Sequence, residues 1–271
     1  MPQLWDGVKS GTADVAVVHT PLHPGNFPMT TVLQLPGLFP NSRIGSMVTQ
    51  KLVEEGYMDK ELKDVKVLFA MINFPGDVGC KSKQIRTLED WKGLRVGVMG
   101  EPETTMVKML GAVPVAIPVT DQYIALDRNA IDATMLEAMG QVAFKFEQVN
   151  KYFTEARLSV RHHYMNFNKD SWNALPKDIQ KIFEENSGMK AAERTGVIFD
   201  SKNKQAAEWI ESVAKKRGNP PIYHPSEEEF ARWMQTLEPL YDKVINETEA
   251  MELPARKMID RCRELVEEYS M

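Results

Sequence analysis

Residues 94–136 read LRVGVMGEPETTMVKMLGAVPVAIPVTDQYIALDRNAIDATML, and their punctuation decides the fold class. Leu94–Met99 is an apolar run of strand length. Glu103–Leu110 fits a short helix closed by Gly111. Val113–Ile117 is a second strand stopped by Pro118, and Thr120 stands where it would cap a helix through Leu126. Ile131–Leu136 is a third strand-like run, and 137–149 fit another helix. Strands joined through helices imply an α/β fold with mostly parallel strands, because the crossover helix returns the chain to the same end of the sheet.

The flanks extend the pattern. Pro2–Lys9 fits a helix ended by Gly11, and Ala13–His19 is a valine-rich strand. Residues 20–28 hold Pro21, Pro24, Gly25 and Pro28 and form a loop. Residues 41–55 are helical up to Gly56. Val65–Ile72 is apolar on both alternating faces after Lys66, as a sheet covered on both sides requires. Thr87-Leu88-Glu89-Asp90 has the capping-box pattern. Arg157–Phe167 is long and extended. Beyond about residue 170 helices dominate: 176–217 with breaks expected at Gly188 and Gly196, then 227–248 and 255–268.

Composition narrows the function classes. The 271 residues are 43% hydrophobic and 26% charged with a net charge of -5, ordinary values for a folded protein of one large domain or two. Such a balance carries no electrostatic footprint for nucleic acid. No apolar run approaches the roughly 18 residues of a membrane span, and the N-terminal residues form no signal peptide. Cys80 and Cys262 are too few for a zinc module or a disulfide framework and read as two free thiols.

Catalytic signatures are missing: there is no G-x-S-x-G, H-E-x-x-H or P-loop. Gly97-Val98-Met99-Gly100 leads into a helix start, but Glu101 and Glu103 would repel an anion there and suit the helix dipole instead. His162-His163 cannot chelate one ion, since neighbours on a strand face opposite ways. Arg157, Ser159, Arg161 and His163 would share one strand face and could meet an anionic ligand or form a solvated edge. Most of the 16 methionines fall in apolar patterns and read as core filler.

Five segments together resemble the solute-binding proteins of tripartite ATP-independent periplasmic (TRAP) transporters, the dicarboxylate-binding type. They are GVKSGTADVAVV (7–18), LQLPGLFP (33–40), KSKQIRTLEDWKGLRVGV (81–98), LGAVPVAIPVTDQYIALDRNAIDA (110–133) and KDSWNALPKDIQKIFEE (169–185). The resemblance implies a periplasmic-binding-protein-like α/β fold with a ligand cleft between two lobes. It divides the chain into 1–80 (lobe I), 81–161 (lobe II), 162–201 (lobe I return, with a bracing helix), 202–255 (lobe II return) and a C-terminal helix over 256–271. It also implies an earlier start. The first strands of lobe I and an export signal are expected upstream of Met1, and the location is expected to be periplasmic.

Site residues carry over unevenly. Gly97 stands where many members have an arginine for the substrate carboxylate, with Arg95 two residues earlier and Lys83 at a second basic position. Leu136, after Met135, replaces a frequent asparagine, and Val119 replaces a frequent aromatic. In the family picture His19, Thr20 and His163 face the cleft from lobe I, while Tyr123 is either structural or part of the site. These departures leave two outcomes: a less anionic, more apolar ligand, or a carboxylate held by Lys83, Arg95, Arg157 or Arg161. The implied function is capture of a small organic solute and its delivery to a TRAP permease by a monomer without cofactor, metal, nucleic acid or membrane insertion. A sensor module or an enzyme on the same fold are the alternatives.

Overall fold

The computed structural model describes residues 3–23 and 25–271. The expected roles of Pro2 at the first helix start and Pro24 in the loop lie outside these residues. In chain order the elements are α1 Leu4–Ser10, β1 Val15–His19, α2 Pro28–Val32, α3 Ser42–Glu54, α4 Asp59–Leu62, β2 Val65–Ile72 and β3 Gly76–Cys80. There follow β4 Arg95–Val98, α5 Glu103–Met109, β5 Val113–Ala116, α6 Val119–Asp127, β6 Ala133–Leu136, α7 Ala138–Ala143, β7 Tyr152–Ser159 and β8 His162–Asn168. Helices α8 Lys169–Ala174, α9 Lys177–Asn186, α10 Gly188–Arg217, α11 Glu227–Glu249 and α12 Ala255–Ser270 complete the described chain.

Two sheets divide the strands. One has the order β1-β8-β2, the other β5-β4-β6-β3-β7. Among the described residues four ladders are antiparallel and only β4–β5 and β4–β6 are parallel, which corrects the expectation of mostly parallel strands. The reason is the crossing of the chain between sheets. It passes from the first to the second at 73–75 and back at 160–161, so β3 and β8 enter their sheets against the direction of the strands beside them, while β7, antiparallel to β3, runs with β4–β6. The crossings touch: Asn73 N donates to the Arg161 carbonyl at 3.1 Å.

β3 escaped the sequence pattern because Gly76-Asp77-Val78-Gly79-Cys80 is poor in strand-forming side chains. Its glycines are needed for packing. A Cβ on Gly79 would lie 2.5 Å from Asn150 Nδ2 and 2.8 Å from Gln141 Oε1. Other expectations shift. α6 begins at Val119 after Pro118, so Thr120 is not its cap. The helix expected over 137–149 splits into α7 and a 3-10 turn, with Lys145 at φ 61° between them. The extended run 157–167 breaks at 160–161, after Arg157 adopts φ 50°.

Gly188 does interrupt the helical block, but Gly196 lies inside α10 and gives close contact rather than a break. α10 has 30 residues, about 45 Å at 1.5 Å per residue, enough to brace both sheets. Near the first sheet, Asp200 accepts from Ser42 N (2.7 Å) and Arg43 N (3.1 Å) at the start of α3. Near the second, Asn203 Oδ1 accepts from Met139 N at 3.0 Å, and Ala206 and Ile210 pack with Ala138 and Phe153. α11 makes a second brace: Trp233 meets Trp91 edge-on at 5.9 Å, while the Tyr241 hydroxyl donates to the Pro36 carbonyl. Cys80 and Cys262 are buried and free.

Candidate functional site

Where the strand ends of the two sheets meet, the chain builds a row of buried polar groups. β1 ends at His19, whose ring centroid lies 4.2 Å from that of His163 at the start of β8, edge to face. His163 Nε2 is 2.7 Å from Asn73 Oδ1 on the first crossing. Asn73 Nδ2 donates to Glu137 Oε1 (2.8 Å), just past β6. Glu137 Oε2 lies 3.7 Å from Arg161 Nη1 on the second crossing. Arg161 Nη2 donates to the Met135 carbonyl (2.6 Å) and to Glu103 Oε1 (2.9 Å). Glu103 Oε2 in turn accepts from Met99 N at 2.9 Å. This polar chain links the first sheet to the second.

The electrostatics follow from burial. The side chains of Arg161, Glu103 and Glu137 are 9%, 12% and 2% exposed. Desolvation pushes the carboxyls of Glu103 and Glu137 upward in pKa against the pull of Arg161. It pushes His162 down to about 3 and His163 well below its usual value. His19 is lowered by burial first, then by His23 and Arg161. The histidines are thus neutral at pH 7, and Arg161 is the cation of the site. Arg161 Nη1, Glu137 Oε2 and Ser159 Oγ are buried without a hydrogen-bond partner.

Beside Arg161 lies a cavity of about 20 Å³, walled by Pro21, Gln34, Met99, Glu103, Met106 and Val160 among others, room for about one water molecule. A groove of about 410 Å³ shares its Pro21, Gln34 and 100–102 rim and runs outward past Thr20, His23 and Lys243. Thr20 Oγ1 donates to the His162 carbonyl and accepts from Gln34 Nε2, both at 3.2 Å.

The structure therefore brings together His19, Thr20, Arg161, His163 and the carbonyl of Met135. It places the other candidates elsewhere. Arg95 is bound bidentately by Asp132 at 2.9 and 2.7 Å. Arg157 turns to Glu155, and Lys83 stands 4.0 Å from Asp90 at the surface. Arg157 and Arg161 accordingly share no face, because the strand alternation is broken between them. A Cβ on Gly97 would meet Gln122 Cδ at 2.9 Å under α6. Leu136 belongs to a small core with Leu126, Ile131 and Phe146, against which Val119 packs. Tyr123 joins that packing and donates to Gln148.

Asn73, Glu137 and Glu103 join this cluster without a signal in the local sequence pattern. Glu103 was visible as a helix-start acid, and its bond to Met99 N fits that role. Its reach across to Arg161 depends on the tertiary fold. Among the described residues no group of three His, Cys, Asp or Glu side chains is arranged to hold a metal, and no helix is long and apolar enough to cross a membrane.

Similarity to known proteins agrees with this architecture. A marine-metagenome TRAP solute-binding protein specific for aromatic acid ligands superposes with a TM-score of 0.93 at 24% identity, over 100% of this chain and 84% of that one. A TRAP solute-binding protein of Rhodoferax ferrireducens, solved with copurified benzoate, gives 0.90 at 25%, over 99% and 84%. The 2,3-diketo-L-gulonate-binding periplasmic protein of Escherichia coli is 26% identical over 182 residues, covering 65% of this chain and 54% of its own. The C4-dicarboxylate-binding periplasmic protein of Rhodobacter capsulatus is 24% identical over 171 residues, covering 62% and 50%. The chain spans about half the length of the curated relatives it matches. Residues 2–248 match bacterial extracellular solute-binding protein family 7, DctP, and with a two-lobed α/β fold on the same plan the chain belongs to that family.

Proposed function

We propose that this protein captures a small organic acid between its two lobes, outside the cytoplasm, and delivers it to a TRAP-type permease without chemically changing it. Strand pairing supports lobes built on residues up to 72 and from 162, and on 76–159, with α10 and α11 bracing both. The observation that carries the reading is Arg161. It sits on the crossing between lobes, is nearly buried, and keeps Nη1 without a hydrogen-bond partner. A guanidinium suits a carboxylate because its planar fork offers two parallel donors. The cavity beside Arg161 holds about one water, so a hydrocarbon body would reach outward between the walls Pro21, Met99, Met106 and Val160 into the adjoining groove of about 410 Å³. The aromatic acids named for the marine and Rhodoferax proteins are compatible with such walls.

Opening would separate His19, Asn73 and His163 from Glu103 and Met99, and a bound acid would favour reclosure only by its higher affinity for the closed state. Calorimetry with benzoate, 3-hydroxybenzoate, mandelate, glucuronate and their amino-substituted counterparts tests the reading. At least one acid is expected to bind, and Arg161→Met to weaken it about 30-fold or more, as loss of a buried charge partner does. An affinity unchanged in a folded Arg161→Met protein would remove Arg161 from the site. Conversion of the bound acid over hours, followed by NMR, would contradict a pure binding role.

A further inference from the structure

The charge inventory around Arg161 narrows the class of acid, an inference that rests on the capture reading above. One guanidinium faces two carboxylates, Glu103 at 2.9 Å and Glu137 at 3.7 Å. Each carboxylate is fixed by one oxygen: Glu103 Oε2 by Met99 N, Glu137 Oε1 by Asn73 Nδ2. Each turns its other oxygen to Arg161. A ligand carboxylate on the unpartnered Nη1 becomes a third negative group beside these two, and Glu137 Oε2 there already has no donor. A plain anion therefore fits less well than a ligand that brings its own positive charge.

We propose that the solute is an α-amino acid, with its carboxylate on Arg161 and its ammonium shared between Glu103 Oε1 and Glu137 Oε2. The ammonium has three donors, enough for both oxygens and one more acceptor. The spacing suits it. Glu103 Oε1 lies 2.9 Å from Arg161 Nη2 and Glu137 Oε2 lies 3.7 Å from Arg161 Nη1, so both acceptors border the guanidinium that would take the carboxylate, and the ammonium on the same α-carbon would fall beside them. Glu137 Oε2 and Arg161 Nη1, both buried, have no hydrogen-bond partner, and these are the atoms the zwitterion would engage. His163 and His19 add no competing cation, since burial keeps both neutral.

The test compares each amino acid with the acid that has hydrogen in place of its amino group: alanine with propanoate, leucine with 4-methylpentanoate, phenylalanine with 3-phenylpropanoate, glutamate with glutarate. Calorimetry is expected to show at least one amino acid bound 10-fold or more tightly than its partner, without net proton uptake. Glu103→Gln and Glu137→Gln should each weaken that amino acid at least 10-fold and leave the plain acid within threefold or tighter. Gln keeps the fixing contact to Met99 N or Asn73. A plain acid binding as well as its amino counterpart overturns the inference and leaves organic-acid capture standing. So does a plain acid bound with uptake of one proton, which would mean that a protonated Glu balances the charge. Binding of neither class overturns both readings. Amine-reactive labelling of any ligand extracted from the purified wild-type protein checks the proposal without a variant, and a copurified acid lacking nitrogen contradicts it.

Discussion

Gly196, in the first third of α10, rests on the backbone of Arg43 at the start of α3: a Cβ there would lie 2.5 Å from Arg43 Cα and 2.8 Å from the Ser42 carbonyl oxygen. The contact sets how closely the bracing helix approaches the first sheet. Because the obstruction is backbone, it cannot yield by rotating a side chain. Gly196→Ala should therefore destabilise the protein by about 2 kcal/mol, despite the higher helix propensity of alanine. A urea midpoint equal to or above that of the wild type would show that α10 can move away without loss.

Asp200, one turn further along α10, caps α3 from outside it through Ser42 N and Arg43 N, while Asn41 Oδ1 accepts from Ile44 N. Three of the otherwise orphaned amides at that helix start are thus satisfied, and the carboxylate complements the helix dipole. Asp200→Ala should cost about 1–2 kcal/mol. Hydrogen exchange should show faster exchange at 42–44, with the far end of α10 unchanged. Uniform acceleration over the whole chain would argue against a local capping role.

Glu61 gives a pH-dependent prediction. Its carboxyl is buried between α4 and the start of α2, where it accepts from Met29 N, Thr30 N and the Thr30 hydroxyl, which also contacts Tyr164. Burial raises its pKa to about 7, against the opposing pull of those hydrogen bonds. Since its unfolded value is near 4.5, the folded state holds more protons between these limits. Stability attributable to Glu61 is unaffected below 4.5 and falls as pH rises towards 7, by about 3 kcal/mol in all. In Glu61→Gln that component is missing, while Glu103, Glu137 and the histidines titrate in both proteins and cancel. The stability of wild type relative to Glu61→Gln should thus drop between pH 4.5 and 8, measured by urea unfolding. A difference independent of pH would mean that Glu61 stays ionised throughout.

The sequence made the strand–helix alternation of 94–136 readable because that stretch obeys local rules: apolar runs, glycine stops, proline boundaries. It hid β3, whose glycines serve neighbours brought in from residues 141 and 150. The candidate site divides in the same way. His19 is readable at the end of a strand, and Arg161 and His163 as polar residues within an extended run. Glu103 and Glu137 join the candidate site only through contacts with Arg161, which lies 58 and 24 positions further along the chain. Local periodicity carries no trace of a partner that distant. The family pattern pointed to position 97 for the substrate cation, and there the chain has no side chain at all.

That position supplies the last prediction. Gly97 lies in β4 between Val115 and Thr134 of its neighbours, and a Cβ would point at Gln122 Cδ (2.9 Å) and Ile131 Cδ1 (3.1 Å) beneath α6. Restoring an arginine should not restore a carboxylate site, because the new side chain starts towards α6 while Arg161 already occupies the interlobe junction. Gly97→Ala should cost about 1–3 kcal/mol by overpacking. Gln122→Ala in the same protein should recover most of it, since the clash is with the flexible end of a side chain whose Oε1 has no hydrogen-bond partner. The recovery, read as the coupling energy of a double-mutant cycle in urea, is the quantity to measure. Strict additivity would show that Gly97 is required by the strand itself rather than by Gln122. Acid affinity in Gly97→Arg with Gln122→Ala should still collapse on Arg161→Met; if it did not, position 97 would hold the carboxylate after all.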